Sequence, residues 1–182
     1  GLFDLTPFSK FEIKSDKAHQ ELQKICTANI KKDVGKCTYT HMLNSDGGIE
    51  ADLTVVSVDE NHFRIISSAA TRERDKHHIK KHLNKDIELE DVTDDYCVFG
   101  LFGPKSRDLM NSLSNDNFSN ENFRFGTAKF ISIEDTKIWI QRLSYVGELG
   151  YELYVEFKDA KKIYELIVNK GKDFNLSNCG MH

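Results

Sequence analysis

The sequence predicts an α+β fold in which two strand-helix units flank a central β region. An alternating strand over residues 8–14, followed by a helical apolar stripe over residues 16–29, gives the first unit. An apolar strand over residues 96–102, followed by a Gly-Pro step and a helix, gives the second. Between them lies a hairpin at residues 38–52. At 182 residues the chain can bury a substantial core, and one globular unit is the default.

The first helix is predicted from its start signal and its apolar spacing. Ser15 can cap it, so we expect it to run from Asp16 to about Asn29. Its apolar positions recur at helical spacing and form one stripe, made of Ala18, Leu22, Ile25 and Cys26. The preceding strand therefore has a helix to pack against.

Residues 38–52 carry the hairpin pattern around which the central region is organised. Residues that favour strands meet the turn sequence Asn-Ser-Asp-Gly-Gly and then alternate again. Tyr39 and Asp52 are thus expected on neighbouring strands, where a carboxylate beside an aromatic ring suits a small-molecule site. The alternative is an ordinary surface hairpin whose Asp52 faces water. We expect His41 to point to the face opposite Tyr39.

The helix predicted over residues 69–84 follows a third strand at residues 62–68 and is highly charged. It carries His77, His78 and His82. The last two are four residues apart, a spacing that lets two imidazoles grip one metal ion, but no third ligand has a fixed place. A solvated basic face is therefore favoured, and no metal site is predicted.

The second half of the chain alternates strands with helices. Two glycines, Gly147 and Gly150, indicate a bent backbone that lets another group approach closely, and the absence of a Gly-Lys-Ser/Thr ending excludes a phosphate loop. We predict strands at 87–92, 129–133, 137–143 and 153–157, helices at 105–113 and 159–170, and a loop at 114–125 pinned by Phe118, Phe123 and Phe125.

Composition excludes several classes of partner. The net charge is −4 with 30% charged residues, so no strong field favours nucleic acid or a membrane surface. No apolar run approaches the roughly 20 residues of a membrane span, and no leader is visible. The cysteines lie far apart without a Cys-x-x-Cys pair, which indicates thiols in a reducing compartment: Cys26, Cys37, Cys97 and Cys179. We expect a cytoplasmic protein or, alternatively, one of the mitochondrial matrix.

Five ordered motifs carry a family resemblance. Residues 42–53 (Met-Leu-Asn-Ser-Asp-Gly-Gly-Ile-Glu-Ala-Asp-Leu) and 145–153 (Tyr-Val-Gly-Glu-Leu-Gly-Tyr-Glu-Leu) are the two longest. Phe-Asp-Leu at 3–5, Phe-Gly-Pro-Lys-Ser-Arg at 102–107 and Phe-Gly-Thr-Ala at 125–128 match in the same order. The chain closely resembles the tetrahydrofolate-binding aminomethyltransferases, the family of the glycine cleavage T-protein. The first two motifs look most like the branch formed by the C-terminal part of dimethylglycine and sarcosine dehydrogenases.

The resemblance implies a T-protein-like fold, with mixed strand-helix units around a central cleft, and it implies site residues. The family aspartate falls on Asp52, the expected catalytic residue. Tyr39, Asp52, Tyr145 and Glu152 are implied to line one folate site, with Glu152 binding the pterin. A carboxylate can accept the paired N–H groups of a pterin, tyrosine rings can form flat walls, and Asp52 can act on an arriving iminium cation.

The implied activity is transfer of a one-carbon unit from an oxidised N-methyl amine, of dimethylglycine or sarcosine type, to tetrahydrofolate, giving 5,10-methylenetetrahydrofolate. FAD would belong only to a fused flavin domain, since no Gly-x-Gly-x-x-Gly occurs here. One alternative is a folate-dependent demethylase that gives 5-methyltetrahydrofolate, and another is a non-catalytic folate-binding or regulatory module. Neither end has a polar tail, so we expect residues 1–182 to be one folate-binding domain cut from a longer chain, without the family's C-terminal stretch and barrel.

Overall fold

The computed structural model describes residues 1–180, which form two compact units with separate hydrophobic cores. The insert unit spans Pro7–Thr93, and the terminal unit combines Gly1–Thr6 with the chain from Asp94 onward. Each unit pairs one sheet with helices, so the predicted α+β class is confirmed. The length alone favoured one globular unit, whereas the chain builds two. The end of the chain at Met181 and His182 lies outside the described residues.

The insert unit contains a five-stranded antiparallel sheet of order β3-β4-β5-β2-β6. One face packs on the helices through Phe11, Leu22, Phe63 and Ile79, all fully buried. The elements are β2 (Ser9–Lys14), α1 (Ala18–Ile25), β3 (Cys37–Leu43), β4 (Ile49–Asp59), β5 (His62–Ser67), α2 (Arg72–His82) and β6 (Glu90–Asp91), with β1 (Leu2–Asp4) preceding them in the terminal unit. The predicted hairpin is β3 and β4.

Helix boundaries differ from the prediction at both helices of this unit. The first helix begins at Ala18 rather than Asp16, because the Ser15 hydroxyl and carbonyl accept hydrogen bonds from the amides of Lys17 and Ala18 before helical geometry starts. The second is preceded by a 3₁₀ turn, Ala69–Thr71. The strand expected at residues 87–92 shortens to two residues, Glu90–Asp91.

Two of the three histidines of α2 contact each other. The rings of His78 and His82 lie 4.4 Å apart, and His82 Nδ1 lies 2.8 Å from the carbonyl oxygen of His78. Within residues 1–180, no group of three or more His, Cys, Asp or Glu side chains is placed to hold a metal ion. Within the described residues, none of the four cysteines takes part in a disulfide bond.

The terminal unit contains a six-stranded sheet of order β11-β1-β7-β10-β9-β8, antiparallel except for the β1 and β11 pair. One face packs on two helices through Leu101, Leu153, Ile140 and Ile163. The elements are β7 (Tyr96–Phe102), α3 (Ser106–Leu113), β8 (Thr127–Ile133), β9 (Thr136–Arg142), β10 (Gly150–Glu156), α4 (Ala160–Gly171) and β11 (Asn178–Cys179). Across residues 1–180, none of the helices combines the length and hydropathy needed to cross a membrane.

The loop between α3 and β8 is pinned by aromatic rings, as predicted, but by two of the three. Phe118 and Phe123 are buried and lie 5.7 and 5.9 Å from the ring of Tyr151. Phe125 is 68% exposed and anchors nothing.

Candidate functional site

Tyr39, His41 and Asp52 form a hydrogen-bonded group on the hairpin of the insert unit. His41 lies directly opposite Asp52 in the β3-β4 register, and Tyr39 pairs with Thr54. The hydroxyl of Tyr39 donates to Asp52 Oδ2 over 3.0 Å and lies 3.2 Å from His41 Nε2. The alternate residues Met42, Ala51 and Leu53 face the core, so this group occupies the opposite face of the sheet.

The expectation that His41 points away from Tyr39 is wrong. Residues two apart in a strand share a face, because side chains alternate with a period of two. The rings of Tyr39 and His41 accordingly lie 5.2 Å apart at 76°. Sequence reasoning missed His41 as a member of the group, although the same alternation was sufficient to include it.

The environment of Tyr39 keeps its hydroxyl protonated. Its hydrogen bond to Asp52, together with partial burial and the charge of that carboxylate, raises the pKa of Tyr39 above its usual value. Tyr39 is therefore a hydrogen-bond donor at neutral pH and not a base. Since Tyr39 is 62% exposed and Asp52 is also exposed, both can meet a ligand.

Glu152 lies near the centre of the terminal unit's sheet, on the face opposite α3 and α4. Its neighbours across the sheet are Gly100 on β7 and Gln141 on β9. The carboxylate is partly exposed and accepts a hydrogen bond from the Tyr154 hydroxyl over 2.9 Å. Burial raises the pKa of Glu152 to about 6, and the bond from Tyr154 acts in the opposite direction. Among residues 1–180 no cationic side chain forms an ion pair with it.

An aromatic surface adjoins Glu152. The ring of Phe102 lies across Gly150, its partner in the β7-β10 register, and Tyr145 meets Phe102 edge-on at 5.4 Å. Tyr145 is 55% exposed, and burial followed by the negative charge of Glu152 raises its pKa. Tyr145 thus combines an exposed ring face with a protonated hydroxyl near the carboxylate.

We expect Gly150→Ala to lower the free energy of unfolding by about 1–3 kcal/mol through overpacking. A Cβ at Gly150 would lie 2.1 Å from Cδ1 of Phe102 and 3.2 Å from the carbonyl oxygen of Leu143. Urea denaturation measures the loss. The double variant Gly150→Ala/Phe102→Leu should lose less than the sum of the two single variants, and strict additivity would contradict this account.

The structure therefore groups the expected site residues within each unit. Tyr39 and Asp52 are hydrogen-bonded in the insert unit, and Tyr145 lies within the electrostatic reach of Glu152 in the terminal unit. That all four line one folate site stays a prediction from the resemblance. Sequence reasoning also passed over Gln141, although the alternation through Trp139 places it on the face opposite the buried Ile138 and Ile140.

Comparison with known proteins places the chain in a family. The family model described as the GCVT N-terminal domain matches residues 1–182. The mitochondrial dimethylglycine dehydrogenase of Rattus norvegicus is 34% identical over all of this chain, which covers 22% of that protein. The 4-methylaminobutanoate oxidase (formaldehyde-forming) of Paenarthrobacter nicotinovorans is 33% identical, with the same coverage. An aminomethyltransferase of Anoxybacillus flavithermus is 30% identical, and the chain covers 50% of it.

Solved structures agree on the fold. The glycine cleavage system aminomethyltransferase T of Bartonella henselae superposes with a TM-score of 0.81 at 19% identity, over 99% of this chain and 47% of that one. The heterotetrameric sarcosine oxidase of Corynebacterium sp. U-96 superposes with a TM-score of 0.74 at 11% identity, over 98% of this chain and 86% of that one. The chain thus spans between about a fifth and a half of the length of the curated relatives described above. It belongs to the GCVT N-terminal domain family.

Proposed function

We propose that this chain binds tetrahydrofolate with Glu152 as the pterin-binding carboxylate. The observation that carries the proposal is a partly buried carboxylate without a cationic partner among residues 1–180, held by one tyrosine hydroxyl. A pterin offers a ring N–H and an exocyclic amine side by side, and an ionised carboxylate accepts both in a charge-assisted pair. The two N–H groups of a bound pterin would therefore give Glu152 the hydrogen-bond donors that it lacks among residues 1–180, beyond the Tyr154 hydroxyl.

We assign the second role, handling of the one-carbon unit, to Asp52 with Tyr39. When an iminium donor transfers its methylene group, the two folate nitrogens bond to that carbon, the carbon–nitrogen bond of the donor breaks, and two protons pass from the folate to the departing amine. No net proton is released. A carboxylate next to these nitrogens can stabilise the cation and relay the protons, and Tyr39 holds Asp52 in place over 3.0 Å.

For the donor we propose an oxidised N-methyl amine. Two relatives, at 34% and 33% identity, are named dimethylglycine dehydrogenase and 4-methylaminobutanoate oxidase, and both names describe oxidation of a methylated amine. The chain covers 22% of each, so oxidation of the amine is assigned to other parts of such proteins. The product of transfer would be 5,10-methylenetetrahydrofolate.

The first experiment is a calorimetric titration of this chain with tetrahydrofolate, kept reduced, beside Glu152→Gln. We expect the variant to lose at least about tenfold in affinity, or about 1.4 kcal/mol, because an amide cannot accept both pterin donors. Wild-type affinity should also fall as the pH drops below about 6, where Glu152 becomes protonated. The matched control is Glu148→Gln, which removes the same charge from an exposed residue on the preceding loop.

Stability measurements separate loss of binding from loss of folding. Because the pKa of Glu152 is raised in the folded state, the native protein binds that proton more tightly than the unfolded chain does, and stability falls as pH rises from about 4.5 through 6. Glu152→Gln should therefore be more stable than wild type by about 1–2 kcal/mol at pH 7.5 and equal to it near pH 4. A stable variant with undiminished affinity would refute the pterin role.

A further inference from the structure

We propose that Gln141 is a second pterin-binding residue, whose side-chain amide hydrogen-bonds to the ring edge adjoining the one held by Glu152. The inference rests on the proposed function and extends it to a residue outside the motifs of the resemblance. It depends on three observations: the place of Gln141 in the sheet, its buried polar atoms, and the match between an amide and the remaining pterin edge.

Gln141 and Glu152 are direct cross-strand neighbours. They face each other in the antiparallel register of β9 and β10. Residues paired in this way have Cβ atoms about 4.5–5.5 Å apart and project from the same face of the sheet. A ligand whose edge contacts the carboxylate of Glu152 therefore lies within reach of the amide.

The amide of Gln141 is buried without compensation. Its exposed fraction is 0%, and neither Nε2 nor Oε1 has a hydrogen-bond partner within the part of the chain that the structure describes. Leaving a buried donor or acceptor unsatisfied destabilises the folded protein, and native proteins rarely tolerate it without a reason. Two residues earlier on the same face, Nε1 of Trp139 is likewise buried without a partner. Unsatisfied polar atoms thus gather beside Glu152.

Glu152 and Gln141 match different edges of the pterin because their side chains carry different hydrogen-bond donors and acceptors. A carboxylate only accepts, so Glu152 matches the two adjacent N–H donors. A primary amide presents one acceptor beside its donors, and this matches a pterin edge on which a carbonyl or ring nitrogen adjoins an N–H. Glu152 and Gln141 together would therefore recognise donors on one edge and a mixed donor-acceptor pair on the next.

Tyr151 shows that burial of an unsatisfied atom alone is insufficient. Its hydroxyl is also buried without a partner among residues 1–180, yet its ring packs with Phe118 and Phe123 on the helix-facing side of the sheet. It neighbours Glu152 in sequence but points the other way. Tyr151→Phe is therefore a matched control that removes a comparable polar atom from the wrong face.

The test compares Gln141→Met, Tyr151→Phe and Glu152→Gln by calorimetric titration with tetrahydrofolate and with 6,7-dimethyltetrahydropterin, a fragment that contains only the pterin. Gln141→Met should lose about tenfold in affinity for both ligands, since the two hydrogen bonds from the amide to the pterin disappear. Without ligand it should unfold at a higher urea concentration than wild type, because the buried amide is gone. Tyr151→Phe should keep wild-type affinity.

Each outcome decides between the two proposals. If Glu152→Gln weakens binding and Gln141→Met does not, Gln141 is only a core residue and this inference fails alone. A loss seen with tetrahydrofolate but not with the pterin fragment also overturns it. If wild type binds neither ligand, the proposed function and this inference fail together. Should Gln141→Met not fold, Gln141→Leu also removes both the donor and the acceptor, and its unchanged affinity would refute the contact.

Discussion

Replacing Glu12 with leucine is expected to lower the free energy of unfolding by about 3–5 kcal/mol, because it removes the carboxylate from a buried ion pair. Glu12 and Arg64 are opposite each other on β2 and β5, and both are nearly inaccessible, at 4% and 3%. Arg64 Nε and Nη2 donate to Glu12 Oε1 over 2.9 and 2.6 Å. The second oxygen lies 2.9 Å from both Lys14 Nζ and His62 Nε2.

The contribution of the Glu12 carboxylate to the free energy of unfolding depends on pH with a definite sign. Burial alone would raise the pKa of Glu12, but the hydrogen bond from His62, the charge of Arg64 and the bond from Lys14 outweigh it and hold the pKa well below its usual value. The unfolded chain therefore binds this proton more readily than the native state. The stability that the ionised Glu12 contributes is fully present above about pH 5 and is lost progressively as the pH falls.

The control for Glu12→Leu is the double variant Glu12→Leu/Arg64→Leu, which removes both charges. It should recover most of the lost stability, because a buried ion pair replaced by apolar groups is often neutral, whereas one partner left alone is not. Urea denaturation at pH 7.5 and pH 4 measures both variants. A single variant that loses less than about 1 kcal/mol would show that water or a rearranged side chain already compensates Arg64.

The sequence predicted most elements because their patterns are local. The strand β7 matches its predicted range, and the β3-β4 hairpin follows from its turn residues. The division into two units could not be predicted in this way. Strand β1 pairs with β7, although all residues of the insert unit separate the two strands in the sequence. Such pairing depends on contacts between distant residues, which no window of sequence reports. The shortening of the strand at β6 has the same origin, since only two of its residues find a partner on β2.

The motif residues could be picked out from the sequence but their surroundings could not, and their role in one folate site stays a prediction. Tyr39 and Asp52 are hydrogen-bonded, as neighbouring strands suggested. The prediction for His41 is wrong because its spacing of two residues from Tyr39 places both side chains on one face of the strand. The significance of Gln141 depends on what lies opposite it and on which atoms lack partners, and both are properties of the folded sheet. Similarly, the pKa of Glu152 is raised because its carboxylate is partly buried, and the residues around it in the sequence do not indicate that burial.

Asp52→Asn is expected to reduce one-carbon transfer by about 10²- to 10⁴-fold while leaving affinity for tetrahydrofolate within about threefold of wild type. Asparagine keeps the shape of Asp52 and can still accept the hydrogen bond from Tyr39, but it cannot stabilise a cation or carry a proton. Transfer is measured as formation of 5,10-methylenetetrahydrofolate from an N-methyl amine, in the longest natural form of the protein that contains this chain. Affinity is measured on this chain by calorimetry.

Two controls locate the effect in the Tyr39, His41 and Asp52 group. Asp46→Asn removes the same charge from the exposed turn of the same hairpin and should leave transfer unchanged. Tyr39→Phe removes the hydroxyl that positions Asp52 and should cost about tenfold, less than loss of the carboxylate itself. Unchanged transfer in Asp52→Asn would exclude Asp52 from catalysis. Folate binding without transfer in the wild type would favour a binding module, and release of 5-methyltetrahydrofolate would favour a demethylase, so the product identifies which chemistry the aspartate serves.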